Sequence, residues 1–147
     1  MNFFAKFSDY SYALMRMVVG FMFSFHGVQK IFGILSDYPS PAIGTQMWFG
    51  GLIELIGGFL IMVGFKTRWA AFITSGMMAV AYFQFHWKFQ FNTNFFPAIN
   101  QGEPAVLYCF IFLYIACKGS GIWSLEKLGA DQLMNIFGMG HIPIQKV

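Results

Sequence analysis

The 147-residue chain is 57% hydrophobic and 20% aromatic but only 10% charged, against roughly 25% charged in a soluble domain, so it lacks the polar surface to cover a fold in water. Its net charge of +3 comes from scattered basic residues. No aromatic-basic groove accompanies them, which argues against a nucleic-acid partner and fits basic loops beside membrane spans.

An all-α integral membrane protein is therefore expected: a four-transmembrane-helix bundle in the lipid bilayer, with both termini cytoplasmic. The spans fall at about residues 12–31, 47–63, 69–87 and 104–118, in a transmembrane domain of residues 1–123. Lys6 and Arg16 flank apolar residues at the start, but the run passes through Arg16 and His26 without a clear small-residue cleavage site. The first span is thus expected to remain in the mature protein. Gly64 to Arg68 makes a very short turn, so the second and third spans must be antiparallel neighbours. The connections Phe32–Gln46 and Lys88–Glu103 are long, and the second is too aromatic for a solvated linker. It is expected to fold back over the bundle or lie in the interface. Pro104 suits the first turn of the fourth helix. Cys109 and Cys117 lie about 12 Å apart along one helix, beyond disulfide reach. Residues 124–147 read as a cytoplasmic amphipathic tail, with a helix broken near Gly129. Lys6, Lys66, Arg68, Lys118, Lys127 and Lys146 fall on one side and Lys30 and Lys88 on the other, which sets the orientation.

Ionisable residues inside spans are costly in lipid and must face protein or water. Arg16, His26 and Lys30 share one stripe of the first helix, expected to point into the bundle. Glu54 sits among Gly50, Gly51, Gly57 and Gly58, which permit close helix approach. A structural charge pair of Arg16 with Glu54 is one reading; a pair lining a site or proton path is the other. His86 ends the third span and Glu103 begins the fourth. His26, Lys30, Glu54, His86 and Glu103 form the candidate ligand-binding or proton-relay set, suited to an anionic or quinone-like headgroup. A haem held between His26 and His86 is a weak alternative, because two histidines without a fixed pattern specify little. No ligand spacing suggests a zinc or di-iron site, so no metal is expected. No catalytic residue can be named.

Leu14–Gly33 (LMRMVVGFMFSFHGVQKIFG) resembles the first helix of the DoxX family, and Gly50–Arg68 (GGLIELIGGFLIMVGFKTR) resembles its second helix and turn. Ala79–Trp87 (AVAYFQFHW) and Asn100–Glu126 (NQGEPAVLYCFIFLYIACKGSGIWSLE) resemble the third and fourth helices and tail. Gln101 departs from the pattern, standing where the family's Asn-Gly-Gly-Glu turn has glycine. The resemblance implies a bacterial inner-membrane protein linked to thiosulfate:quinone oxidoreductase or thiol-related oxidative-stress complexes. Its polar positions map to Arg16, His26, Lys30, Glu54, Arg68, His86 and Glu103. The leading function is then a component of a membrane redox complex that interacts with quinone or another small ligand. The residues themselves show no electron-carrying cofactor, so a membrane-protein partner would supply one. A non-catalytic accessory subunit of a respiratory or other membrane complex is the alternative. A small-solute transporter is a third, and one that requires a homo-oligomer.

Overall fold

Helix signals along the chain are converted into five α-helices in the computed structural model, which describes residues 3–136 and contains no strand among them. After a single 3-10 turn at Phe4–Phe7 come α1 (Ser8–Phe32), α2 (Gln46–Val63), α3 (Thr67–Ala81), α4 (Glu103–Lys118) and α5 (Leu125–Ile136). The part of the expected tail at residues 137–147, including Lys146, lies outside the described residues. α1 starts earlier than the apolar run predicts, because Ser8, Asp9 and Tyr10 extend it by a turn. Thr45 caps α2 by accepting a hydrogen bond from the Trp48 N–H at 3.3 Å. Gly64 ends the same helix at φ +73°, donating to the Leu60 and Ile61 carbonyls. α3 runs on into a π-helical turn at Tyr82–Trp87, so the expected third span is made of two kinds of helix. α5 passes through Gly129 without the expected break; one glycine costs a helix only about 1 kcal/mol relative to alanine.

α1 packs on α2, α2 on α3, and α3 on α4. Aromatic side chains close the ring between α4 and α1: Phe23 meets Phe112 with ring centroids 4.7 Å apart and Tyr108 at 5.2 Å. Along the α1–α2 seam the backbones touch. A Cβ on Gly20 would lie 2.6 Å from the Met62 nitrogen, and one on Gly58 would lie 2.7 Å from the Gly20 carbonyl oxygen. Small residues on both sides are what permit this approach. By length and composition α2 is long and apolar enough to cross a membrane. Large apolar side chains stand exposed on every α-helix of the bundle, among them Phe21, Phe59, Phe72 and Phe110. A water-soluble monomer rarely shows such a surface.

The two arginines organise one end of the bundle. Arg16 is fully buried and donates to the carbonyls of Ile61 (2.6 Å), Met62 (2.8 Å) and Trp123 (2.7 Å). Arg68 donates to the carbonyls of Ala116 (2.9 Å), Cys117 and Lys118 (3.3 Å). Each guanidinium thereby adds donors to the last carbonyls of a helix, α2 and α4 respectively, where the helix dipole is negative. Arg68, one of the basic residues that the sequence puts on one side, thus also caps the C-terminus of α4. The segment after α4 is locked onto the α2–α3 turn. Ser124 is buried, Glu126 N–H donates to Gly64 at 3.1 Å, and the Glu126 carboxylate accepts from Thr67 N–H at 3.0 Å. Tyr12 donates its hydroxyl proton to the Gly119 carbonyl.

Candidate ligand-binding site

At the opposite end the close α1–α2 seam continues, where a Cβ on Gly27 would fall against the Leu55 backbone nitrogen. Gly51 lets α2 lie against Lys30 and Ile31 of α1, a Cβ there standing 3.0 Å from the Lys30 side chain. Lys30 Nζ donates to Glu54 Oε1 at 2.5 Å, the lysine side chain 35% and the glutamate side chain 7% exposed. This replaces the expected Arg16–Glu54 pair. Arg16 lies beside Met62, and the eight residues back to Glu54 represent about 12 Å of helix rise, too far for the guanidinium to span while it holds the α2 carbonyls. The other carboxylate oxygen, Glu54 Oε2, is buried and accepts no hydrogen bond from the described residues. An acceptor left without a donor in an apolar surround is costly.

Two cavities meet at Lys30. One, of about 640 Å³, lies between α2 and α3 and is lined by Lys30, Glu54 and His86 with Ile53, Ile73 and Met77 among its apolar walls. Its rim includes Met47, Phe49, Val80 and Phe85, all exposed on the outside of the bundle. Gln46 and Gln84 bridge α2 to the π-helical turn by an amide hydrogen bond of 2.5 Å. The second cavity, of about 420 Å³, lies under the α1–α2 loop and sets the polar groups of His26, Gln29, Lys30, Ser36 and Asp37 among apolar surface from Leu35, Pro39, Pro41 and Met47.

The π-helical turn sets the angle of His86, and such turns recur where a helix must re-aim a functional side chain. His86 Nδ1 lies 3.1 Å from the Asn100 carbonyl oxygen. A carbonyl only accepts, so Nδ1 carries the proton and Nε2 of the neutral ring is left as an acceptor. Asn100 is fixed in turn by its amide donation to the Asn94 carbonyl at 2.7 Å. The aromatic connection therefore folds back over this end as expected, with Tyr82 donating to Phe95 at 3.0 Å and Trp87 packed among Phe89, Phe91 and Phe95.

Of the five candidate residues, the α2–α3 cavity gathers Lys30, Glu54 and His86. His26 is set apart: it is exposed, lines the loop cavity and meets Tyr108 edge-on. The stripe of Arg16, His26 and Lys30 thus does not face one interior: Arg16 and Lys30 meet α2, while His26 lies exposed at the loop cavity. His26 and His86 therefore line different cavities. Glu103 is exposed in the first turn of α4 and lines neither cavity; a carboxylate there complements the helix N-terminus. Sequence reasoning missed Asp37, Gln46 and Asn100. Asp37 and Gln46 sit in or beside a loop whose path no periodicity predicts, and Asn100 acts through its backbone.

The comparisons with known proteins agree with the resemblance read from the sequence. A 41% identity over 130 residues relates the chain to an uncharacterised protein of Haemophilus influenzae, covering 86% of this chain and 96% of the relative. No solved structure matches. The DoxX family model matches residues 11–87, from the start of α1 to the end of the π-helical turn, and the chain belongs to the DoxX family.

Proposed function

We propose that the protein is a four-span bacterial inner-membrane component of a redox complex, binding quinone or a similar small lipid-soluble ligand in the α2–α3 cavity. The single observation behind this reading is the pairing of apolar walls with the Lys30–Glu54 ion pair, the unpartnered Glu54 Oε2 and His86. The exposed apolar rim suits entry from the acyl-chain region, and three polar side chains suit a small headgroup with oxygen at both ends. Lys30 Nζ is a donor for a carbonyl oxygen, while Glu54 Oε2 and His86 Nε2 are acceptors for a hydroxyl. A bound quinone would supply two-electron, two-proton chemistry; this chain's residues orient it, exclude water and hold protons, and a partner subunit supplies the electrons. Lys6, Lys66, Arg68, Lys118 and Lys127 at the arginine end support a cytoplasmic location for that end and both termini. The exposed Phe89, Phe91 and Phe96 favour, as a second reading, an accessory subunit that contacts its complex through the aromatic connection.

Equilibrium titration of the purified protein with a short-tailed benzoquinone tests the ligand reading. Glu54→Gln and His86→Leu should each weaken binding about tenfold, the equivalent of one charge-assisted hydrogen bond, with helicity unchanged. Equal binding by wild type and both folded variants would sink it.

A further inference from the structure

The geometry points to a division of labour at Lys30: the α2–α3 cavity holds the ligand, and the loop cavity is the aqueous route by which Glu54 exchanges protons. Lys30 is the only side chain besides Met47 that lines both cavities among their described lining residues. Glu54 lines the α2–α3 cavity alone and is 7% exposed at its side chain, whereas Lys30, 35% exposed, spans from Glu54 to the loop cavity. The two cavities also differ in chemistry. The α2–α3 side carries Gln46 and His86 in mostly apolar walls, while the loop side offers a proton four polar groups, His26, Gln29, Ser36 and Asp37. The loop is braced open by two local hydrogen bonds, Gln29 amide to Leu35 carbonyl at 2.8 Å and Ser36 hydroxyl to Tyr38 carbonyl at 3.0 Å.

The titratable groups around Glu54 are few. α1 contributes Lys30, with His26 beyond it; the π-helical turn contributes His86; α4 contributes Tyr108, close enough to interact with the Glu54 charge. Of these, Lys30 is the one hydrogen-bonded to the Glu54 carboxylate among the described residues. The proton on Glu54 therefore passes by way of the Lys30 ammonium, which gives a proton to the carboxylate and is reprotonated from water in the loop cavity beside Asp37. No electron moves in this step, and the return path is its reverse. The inference relies on the proposed function only for what receives the proton beyond Glu54.

The experiment is an acid pH jump on the full-length protein in lipid nanodiscs, following the infrared carbonyl band that Glu54→Gln removes. Ser36→Trp, which fills the loop cavity, should slow protonation of Glu54 by about a hundredfold, the low end of what a positioned proton-transfer path contributes. Asp37→Asn, which changes no volume, should slow it in the same direction. Met77→Trp, which fills the α2–α3 cavity, should leave the rate as in wild type while abolishing quinone-analogue binding. Wild-type rates in both loop variants, or equal slowing by Met77→Trp, would overturn the proton route. Absence of quinone binding to the wild-type protein, with the loop variants still slow, would overturn only the ligand assignment.

Discussion

Lys30 and Glu54 meet at 2.5 Å across the seam where Gly51 brings α2 against α1. The pair holds a carboxylate that is otherwise sealed among apolar side chains, and its cost is set by the partner that remains when the other is removed. Four consequences of the fold can be measured directly.

Lys30→Met leaves the Glu54 charge uncompensated. Because Lys30 is partly exposed, the expected loss is about 1–3 kcal/mol rather than that of a fully buried pair. Thermal unfolding in detergent measures it. The double variant Lys30→Met/Glu54→Leu, which removes both partners, should recover most of the loss; a double variant no more stable than the single would show that charge is not the cause.

Gly58→Ala places a Cβ 2.7 Å from the Gly20 carbonyl oxygen and closer still to the Ser24 nitrogen, both backbone atoms. Overpacking of this kind costs about 1–3 kcal/mol, and the midpoint of thermal unfolding should fall accordingly. Gly76→Ala meets nothing within 4 Å and should instead be neutral or stabilising by up to about 1 kcal/mol. Equal effects of the two changes would contradict the close α1–α2 seam.

Arg16→Lys is not conservative here. A single ammonium cannot reach the Ile61 and Met62 carbonyls on one side and Trp123 on the other, as the guanidinium fork does. A loss of about 2–3 kcal/mol is expected, chiefly from the Met62 and Trp123 carbonyls left without their donor. Limited proteolysis should show earlier cleavage between α4 and α5, since the same contact docks that segment. Unchanged protection would mean that Ser124 and Glu126 hold it alone.

Gln101 has φ +60°, a left-handed conformation that costs a residue with a side chain about 1–2 kcal/mol. Gln101→Gly removes that cost at some loss of unfolded-state entropy, for a net gain of up to about 1 kcal/mol. A rise in the unfolding midpoint checks it; a fall would show that the Gln101 side chain contributes more than its backbone loses.

Composition and hydropathy run length suffice for the helical class and for where the helices lie, because burial in lipid is decided by local apolar content. α2 and α4 are bounded within a residue of expectation for that reason. The departure at Gln101 leaves the backbone there at a positive φ all the same, a conformation that residue type alone does not foretell.

Partner choice was not legible in the same way. Placing Arg16, His26 and Lys30 on one stripe follows from 100° per residue, but which of them meets Glu54 depends on the register of α1 against α2. That register is fixed by contacts such as Gly20 against Gly58 and Met62, each a pairing between residues far apart in the chain. The sequence by itself determined the helical class, the basic end and the candidacy of Arg16 and Glu54 as buried charges, because these depend on residue type and local spacing. Only the tertiary structure decided that Lys30 holds Glu54, that Arg16 and Arg68 cap helices instead, and that His26 and His86 face different cavities, because those outcomes depend on how neighbouring helices slide and where a loop returns.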